Sequence, residues 1–418
     1  MINLKQKKTR DYSLYFLKRN PFPAIGVPSD VLVTVDRKPV IERFQNVVAE
    51  LEDSGTGVIT VLVGAYGSGK SHLLKSFRQN VNDQLLSREN GTIAVYVKSP
   101  GDNFRDFLLG FVEDIGRHLL THYSEEVVRE YIEGNRTRAK DFVRAPDYKS
   151  AVESGQYEVG KFLELSRYQD MFREIRASKF PQTPSANLVH AFLTLSHPEH
   201  GSIAWRWFLG EGLGSAEEVL AGVDSTIDDS DQAYSIFSDF IVLLMELGIK
   251  SMVLLVDELE KITIITAAKS ANYQEDLRKL IDDHPRNICY YFAIAPKQWE
   301  ELTKETTAFI RRLSGNWYEL ANFDEANTSE LIEKYMFPAR VENFSSKDAR
   351  AKFPDCEPSL VPFTKGAVKS IHELSDGSVS SIILICRKLL EYVYDYRDKY
   401  QSVTPDLVNF LKEQEKLE

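Results

Sequence analysis

The 418-residue sequence is 43% hydrophobic and 27% charged, values typical of a folded globular protein, and they exclude a chain that is disordered over most of its length. No apolar run is long enough to cross a bilayer, and the polar start of the chain, residues 1–8, lacks the apolar core of a secretory signal. We therefore expect a cytoplasmic protein with no membrane partner. Three scattered cysteines, Cys289, Cys356 and Cys386, form neither a metal-binding spacing nor a disulfide framework.

The net charge of −11 argues against a surface covered with DNA-binding charge. Its distribution is uneven, because residues 1–40 hold eight Lys and Arg against three Asp and carry +5, which leaves −16 for the rest. Such a basic leader either contacts a phosphate backbone or an acidic subunit, or is simply solvated. The same two interpretations apply to a second basic group, Arg136, Arg138, Lys140 and Arg144.

The first part of the chain contains an aromatic segment and then a helix. The N-terminal aromatic segment, residues 15–23, is apolar enough that we expect it to pack on the domain that follows. An amphipathic helix opens near residue 35 and runs to about Leu51. An apolar strand, residues 58–63, then leads into the motif G-x-x-x-x-G-K-S at residues 64–71, which a helical pattern follows.

Strand, glycine-rich loop, Lys-Ser and helix in this order predict a phosphate-binding loop. The glycines let backbone N–H groups point at the phosphates, and the next helix adds its positive N-terminal end. Lys70 is predicted to reach the β- and γ-phosphates of ATP, and the Ser71 hydroxyl to bind Mg²⁺. The predicted nucleotide-binding residues are Gly64, Ala65, Tyr66, Gly67, Ser68, Gly69, Lys70, Ser71 and His72.

The middle of the chain is predicted to be helical. A second strand, residues 92–98, ends at Ser99-Pro100-Gly101, and residues 102–240 then show helical periodicity without a convincing buried strand. We interpret them as an all-helical insertion in a nucleotide-binding domain. Near its end, Trp205 and Trp207 cannot share one helix face, which leaves two interpretations: one of them is partly exposed or at an interface, or both simply pack in the core, and we favour core packing.

A third strand, residues 252–256, is an unbroken apolar run, which suits a parallel strand buried on both faces. Two carboxylates follow it, at the end of the strand where open α/β sheets bind ligands. Asp257 is predicted to hold Mg²⁺, and Glu258 to orient and polarise the water that attacks the γ-phosphate. Glu260 is expected to lie on the surface.

The remaining pattern is two strands, at residues 288–295 and 317–320, and then helices from residue 324 onward. The predicted fold class is α/β, with a five-stranded, mostly parallel sheet, a large helical insertion and a C-terminal all-helical lid. The predicted domains are a basic leader with the first helix (1–55), a P-loop domain containing the insertion (56–322) and the helical lid (323–418).

This order of motifs resembles AAA+ ATPases, and among them the branch of origin-recognition and ExeA-like ATPases. Four stretches carry the resemblance: residues 15–22, the phosphate-binding loop with Asp257-Glu258, residues 311–326, and residues 362–379. Residues 204–262, from Ala204-Trp205-Arg206-Trp207 to Asp257-Glu258-Leu259-Glu260-Lys261, are similar to ATP-binding proteins of BREX phage-defence systems, which also have an insertion before this strand.

The resemblance implies an ATP hydrolase that binds Mg²⁺–ATP in a homo-oligomer, a ring or a filament. Arg312, or its neighbour Arg311, would complete the site of an adjacent subunit as a catalytic arginine finger. The implied role is to remodel or load partner proteins of a defence system on double-stranded DNA. Two alternatives stay open: a nucleotide-switched recruitment or regulatory protein with slow or no turnover, and a transposition-type ATPase that binds target DNA.

The sequence departs from the AAA+ pattern at two positions. The fourth strand ends without the usual polar sensor residue, so that role is absent or moved to Lys297. In the lid, Ser380 stands where origin-type relatives have an arginine, and Arg387 lies two turns further on. These departures favour the switch, whereas Glu258 favours turnover.

Overall fold

The structure, a computed structural model, describes residues 10–24, 35, 37–88, 90–305 and 307–417. Its strands form one parallel sheet in the order β2-β3-β4-β1-β5. The strands are β1 Ile59–Gly64, β2 Gly91–Val97, β3 Ile249–Val256, β4 Ile288–Ile294 and β5 Trp317–Leu320. All five predicted strands are present, and the predicted α/β fold class is confirmed.

Along the chain, each strand is preceded and followed by helices. Up to the third strand they are α1 Lys38–Ser54, α2 Lys70–Leu85, α3 Phe104–Ile115, α4 Arg117–Gly134, α5 Arg136–Phe142, α6 Pro146–Ser154, α7 Val159–Leu165, α8 Tyr168–Lys179, α9 Ala186–Thr194, α10 Gly201–Phe208, α11 Ser215–Ala221 and α12 Ser230–Glu246. After it they are α13 Ala267–Asp283, α14 Pro296–Lys304, α15 Ala308–Leu313, α16 Glu325–Met336, α17 Ser346–Lys352, α18 Lys365–Ser375, α19 Val379–Asp395 and α20 Pro405–Glu413. None of the helices in the described ranges has the length and apolarity to cross a membrane.

The central strands are buried because both of their faces are covered. Every residue of β2 and β4 is buried, and in β3 only Lys250 is exposed. In register, Leu254 of β3 pairs with Val95 of β2 and with Tyr290 of β4. Strands buried on both faces need apolar residues at every position, which explains the continuous apolar runs in the sequence.

Residues 102–240 are fully described and contain helices but no strand, as predicted. Side-chain caps start several of these helices: Asn103 accepts from the Asp106 N–H at α3, and Asp229 accepts from the Gln232 N–H at α12. Aromatic rings fill the space between these two helices, and the ring centroids of Phe111 and Phe237 lie 4.7 Å apart.

The two tryptophans at the end of the insertion differ in their burial. Trp207 is 1% exposed and its indole N–H donates to the Ser225 carbonyl at 2.7 Å, whereas Trp205 is half-buried. The two residues therefore point in different directions on α10, and core packing, the interpretation favoured from the sequence, describes Trp207 but not the partly exposed Trp205.

The chain divides into two compact units, one of residues 1–45, 62–76 and 318–418 and the other of residues 46–61 and 77–317. The three-part division predicted from the sequence stays a prediction. In the first unit, Tyr15, Leu17 and Phe22 of the N-terminal aromatic segment are each at most 1% exposed and belong to the same apolar core as the C-terminal helices.

The N-terminal aromatic segment was expected to pack on the domain that follows it, and this expectation is corrected. The Tyr15 hydroxyl donates to the Val393 carbonyl at 3.2 Å, and a guanidinium nitrogen of Arg387 donates to the Phe22 carbonyl at 2.6 Å. Arg10 forms ion pairs with Asp395 at 2.6 Å and with Glu391 at 3.0 Å. The segment thus packs on α19, whose apolar face it covers. Three of the eight basic residues of the leader, Lys5, Lys7 and Lys8, lie outside the described residues.

Candidate functional site

The phosphate-binding loop begins at the last residue of β1 and ends where α2 starts. Gly67 and Gly69 have φ values of 81° and 96°, a left-handed backbone that side chains with a Cβ rarely adopt. At Gly64 the reason for glycine is space, because a Cβ there would lie 2.5 Å from Ser68 Oγ. The glycine spacing of the motif therefore follows from the backbone path of the loop.

The polar groups of the loop fit a bound phosphate. Lys70 is 7% exposed, and its Nζ donates to the carbonyl oxygens of Gly64 at 2.5 Å and Ala65 at 3.2 Å. Ser68 Oγ is buried and has no hydrogen-bond partner in the described chain. A buried ammonium and a buried hydroxyl without a partner are groups that phosphate oxygens would satisfy.

The remaining predicted residues of the loop are more accessible. Ser71 is exposed in the first turn of α2, where a hydroxyl oxygen is a suitable ligand for Mg²⁺. His72 is half-buried, and Tyr66 is 73% exposed with the Lys70 ammonium 5.6 Å from its ring centroid. The loop thus contains a set of residues that fits ATP with Mg²⁺.

The phosphate-binding loop contacts the start of α19, which the sequence did not indicate. The Ser380 N–H lies 3.4 Å from the Gly67 carbonyl, and a Cβ on Gly67 would lie 2.3 Å from Ser378 Oγ and 2.5 Å from Ser380 Oγ. Ser380 stands at the position in the lid where origin-type ATPases have an arginine. Arg387 does not supply that charge, because it is bound to the Phe22 carbonyl and, at 2.9 Å, to Glu391.

Arg37 is a further residue that the sequence did not indicate. One guanidinium nitrogen donates to the Ser68 carbonyl at 3.0 Å and to the Ala321 carbonyl at 2.9 Å, and the guanidinium lies 5.0 Å from the Phe323 ring centroid. It therefore supports the phosphate-binding loop from outside, and no motif marks an arginine 27 residues before Gly64.

In the second unit, the carboxylate of Asp257 is held in a fixed orientation at the end of β3. Asp257 is 3% exposed; its Oδ2 accepts from the Tyr96 hydroxyl at 2.8 Å and its Oδ1 from the Glu258 N–H at 2.9 Å. Tyr96 comes from β2, the neighbouring strand, and its role could not be read from one sequence because it depends on strand register.

Glu258 has an unusual backbone. Its φ and ψ are 51° and 39°, in the left-handed region that a glutamate seldom occupies, and such conformations persist where the surrounding structure enforces them. The residue is half-buried, and Lys261 Nζ lies 2.9 Å from its Oε2. The carboxylate is therefore accessible and is paired with an ammonium of the same short 3₁₀ helix, Leu259–Thr263.

Glu260 does not lie on the surface, as the sequence suggested, because it is 4% exposed. Its Oε2 accepts from the Ala295 N–H at 3.3 Å. The 3₁₀ turn that follows Glu258 directs this side chain toward the end of β4, which explains the error. Lys297, the other residue considered for the role of the polar sensor, is on the surface, and its Nζ lies 4.0 Å from Glu301 Oε1.

The two candidate finger residues on α15 differ in their contacts. Arg312 is bound by both carboxylate oxygens of Asp282, with Nε at 2.6 Å and Nη2 at 2.8 Å. Arg311 is exposed, and no partner for its guanidinium is found in the described chain. Arg312, named first from the sequence, therefore joins α15 to α13, and Arg311 is the better candidate for contact with another subunit.

Two of the four residues of the second basic group form ion pairs within the chain. Arg138 is bound to Glu174, and Lys140 Nζ lies 2.7 Å from Glu153. The second basic group therefore offers less free positive charge than its sequence indicated.

Among the described residues no cluster of His, Cys, Asp or Glu could hold a metal ion by itself.

The phosphate-binding loop after β1 has the features of the loop in P-loop nucleotide-binding proteins, and the carboxylates after β3 match the acidic residue that such proteins carry after a strand. The family model described as "AAA domain" matches residues 53–144. The model described as "BREX system ATP-binding protein BrxC/D" matches residues 195–331. Both resemblances predicted from the sequence are confirmed, and they support nucleotide binding.

Several solved structures match the chain at low sequence identity. The ORC2 protein of Aeropyrum pernix in its ADP form matches with a TM-score of 0.48 and 11% identity, over 92% of this chain and 69% of that one. Its ADPNP–ADP complexes match with a TM-score of 0.44 and 11% identity, over 90% and 66%. Cdc6p of Pyrobaculum aerophilum matches with a TM-score of 0.45 and 9% identity, over 90% and 67%. Among curated proteins, none matches the chain.

Proposed function

We propose that the protein hydrolyses Mg²⁺–ATP, with the phosphate-binding loop and the carboxylates after β3 acting on one nucleotide. The observation that carries the proposal is the loop itself, with left-handed Gly67 and Gly69, buried Lys70 and the unpartnered hydroxyl of Ser68. The order of the motifs supports a shared site, because P-loop ATPases hold Mg²⁺ with the hydroxyl of the loop and with an acidic residue that follows a later strand.

Each residue would have a separate task in this reaction. Backbone N–H groups of the loop and the Lys70 ammonium bind the phosphate oxygens, while Ser71 and Asp257 hold Mg²⁺. When bound, the metal neutralises charge that develops on the β- and γ-phosphate oxygens. Tyr96 keeps Asp257 in its orientation. Glu258 orients the water and accepts its proton as the new P–O bond forms and the bond to the leaving ADP oxygen breaks.

Lys261 is predicted to restrain Glu258. An exposed ion pair contributes at most about 1 kcal/mol to stability, so Lys261→Met is expected to leave the fold intact while freeing the carboxylate to bind water. We expect kcat to rise a few-fold with the Kd for ATP unchanged, measured by phosphate release and by nucleotide titration. Lys297→Met, which breaks another surface pair, is the control. A fall in kcat for Lys261→Met alone would show that the lysine assists the reaction instead.

The proposed arginine finger is Arg311. In an oligomer whose ATPase rate rises with protein concentration, Arg311→Ala is expected to lower kcat by on the order of 10³ or more, as loss of such a residue does elsewhere. Arg312→Ala is the matched variant, and it is expected to lower the melting temperature because it leaves Asp282 without one partner. A rate that is independent of concentration and equal in Arg311→Ala would remove the finger from the mechanism.

The biological role we propose is to remodel or load partner proteins of a defence system on double-stranded DNA, from a cytoplasmic ring or filament. The match to BREX ATP-binding proteins supports the defence partners. Contacts to DNA would be made mainly to phosphates and would weaken steeply with salt. Duplex DNA binding measured with ATP between low and physiological salt tests this role, and absent or salt-insensitive binding contradicts it.

A second candidate is a nucleotide-switched recruitment protein. Two residues could replace the missing sensor residues, and both are bound elsewhere. Lys297 pairs with Glu301 on the surface, and Arg387 is bound to Phe22 and Glu391. These contacts favour the switch. Steady-state phosphate release by the wild-type protein, with and without DNA, separates the two. Nucleotide binding without turnover under both conditions supports the switch, and turnover supports the hydrolase.

A further inference from the structure

A cavity of about 480 Å³ opens among the helices of the insertion, at residues with no part in the proposed reaction. The turn between α7 and α8, the loop between α9 and α10 and the end of α11 form its walls, together with Arg144 from the loop after α5. A volume of this size lies within the range of small-molecule sites.

His197 supplies a buried donor to this cavity. The residue is 4% exposed, and its Nδ1 accepts from the N–H groups of Glu199 at 3.2 Å and His200 at 3.3 Å. Burial, and next the neighbouring His200, lower the pKa of His197 to about 4, so the ring is neutral at pH 7. Because Nδ1 carries the lone pair, the ring proton is on Nε2, for which the described chain provides no acceptor.

His200 supplies an acceptor beside it. The two imidazoles are stacked, with ring centroids 4.0 Å apart and an angle of 16°. The Tyr168 hydroxyl lies 3.0 Å from the Leu220 carbonyl and 2.9 Å from His200 Nδ1. A carbonyl can only accept, so the phenol donates to it and His200 donates from Nδ1, which leaves a lone pair on His200 Nε2.

Arg144 supplies positive charge to the wall. Its backbone N–H is bound to the Leu165 carbonyl at 2.8 Å, which fixes the position of the residue, while its side chain is exposed. No carboxylate within the described ranges pairs with its guanidinium. Arg167, also in the wall, donates to the Asp141 carbonyl at 3.1 Å.

Two of the carboxylates in the wall are already compensated. Glu164 lies 3.0 Å from Lys161 Nζ, and Asp170 lies 2.9 Å from a guanidinium nitrogen of Arg173. Glu199 is the remaining acidic residue of the wall, and it is exposed. The uncompensated groups at the cavity are therefore a guanidinium, an imidazole N–H and an imidazole lone pair, next to this one exposed carboxylate.

We propose that this cavity binds a small organic phosphate of nucleoside monophosphate size. Its phosphate accepts from Arg144 and from His197 Nε2, and a hydroxyl of the same molecule donates to His200 Nε2. A guanidinium and an imidazole N–H in the wall of one cavity are donors from which the oxygens of a phosphate group accept. The cavity is thus a second ligand site, separate in its residues from the phosphate-binding loop.

The test uses the full chain labelled with ¹⁵N-histidine, which contains eight histidines. AMP, inorganic phosphate and adenosine are titrated separately, and the signals of His197 and His200 are assigned with His→Gln variants. We expect saturable shifts of both signals with AMP, weaker binding of inorganic phosphate and none of adenosine. The His72 signal reports separately on binding at the phosphate-binding loop.

Arg144→Gln is expected to weaken AMP binding at least tenfold at His197 and His200 and to leave any shift of His72 unchanged. Arg138→Gln, which removes an arginine already paired with Glu174, is the control and is expected to keep the wild-type affinity. The proposal is overturned if AMP shifts neither signal, if Arg144→Gln binds AMP as tightly as the wild type, or if adenosine binds as well as AMP.

Discussion

Glu258→Gln is expected to lower kcat for ATP by about 10²–10⁴ while ATP binding is retained, because an amide cannot accept the proton of the attacking water. The change removes a charge at a half-buried position and adds no volume, so the fold is expected to persist. Phosphate release gives kcat, and a nucleotide titration in the presence of Mg²⁺ gives the Kd. The same variant is expected to accumulate in its ATP-bound state.

Glu260→Gln is the matched control, two residues further along the same turn. Its carboxylate accepts one backbone hydrogen bond, from Ala295, and an amide oxygen can accept it as well. We expect its kcat to stay close to the wild-type value. If Glu260→Gln lost turnover and Glu258→Gln kept it, the assignment of the water-orienting residue would be wrong.

Arg340→Ala is expected to destabilise the first unit by on the order of 3 kcal/mol, since each buried carbonyl left without a partner costs about 1–3 kcal/mol. The Arg340 guanidinium is buried, and it donates to the carbonyl oxygens of Tyr15 at 2.9 Å, Ser359 at 2.8 Å and Pro358 at 3.3 Å. Burial lowers the pKa of Arg340 to about 10. One side chain thus joins the N-terminal aromatic segment to the turn before α18.

Urea unfolding followed by circular dichroism measures this loss. Lys352→Ala is the control, because Lys352 also donates to a backbone carbonyl at this end of the chain, that of Leu14 at 3.0 Å, directly before the aromatic segment, but is exposed. Its midpoint is expected to stay close to the wild-type value. Equal midpoints for Arg340→Ala and the wild type would show that the aromatic segment does not depend on this buried arginine.

The sequence predicted those features that depend on neighbours along the chain. The central strands could be located because strands buried on both faces require unbroken apolar runs, as in β3 and β4. The phosphate-binding loop could be located because its glycines are required by backbone geometry at Gly67 and Gly69. The insertion was predicted as helical because its apolar residues follow the helical period.

The features that were missed depend on residues far apart in the sequence. Tyr96 reaches Asp257 only because β2 and β3 are neighbours in a particular register. The burial of Glu260 results from a 3₁₀ turn that has no distinct sequence pattern. The N-terminal aromatic segment packs on α19, more than 350 residues later, and amphipathicity alone does not identify a partner.

The measurement that tests the central claim most directly is phosphate release from Mg²⁺–ATP by the wild-type protein and by Lys70→Ala. Lys70 is the buried ammonium of the phosphate-binding loop, and its loss is expected to abolish both nucleotide binding and turnover. The account predicts phosphate release by the wild type that requires Mg²⁺ and disappears in the variant. A wild-type protein that neither binds nor hydrolyses ATP, or a Lys70→Ala variant with wild-type turnover, would contradict it.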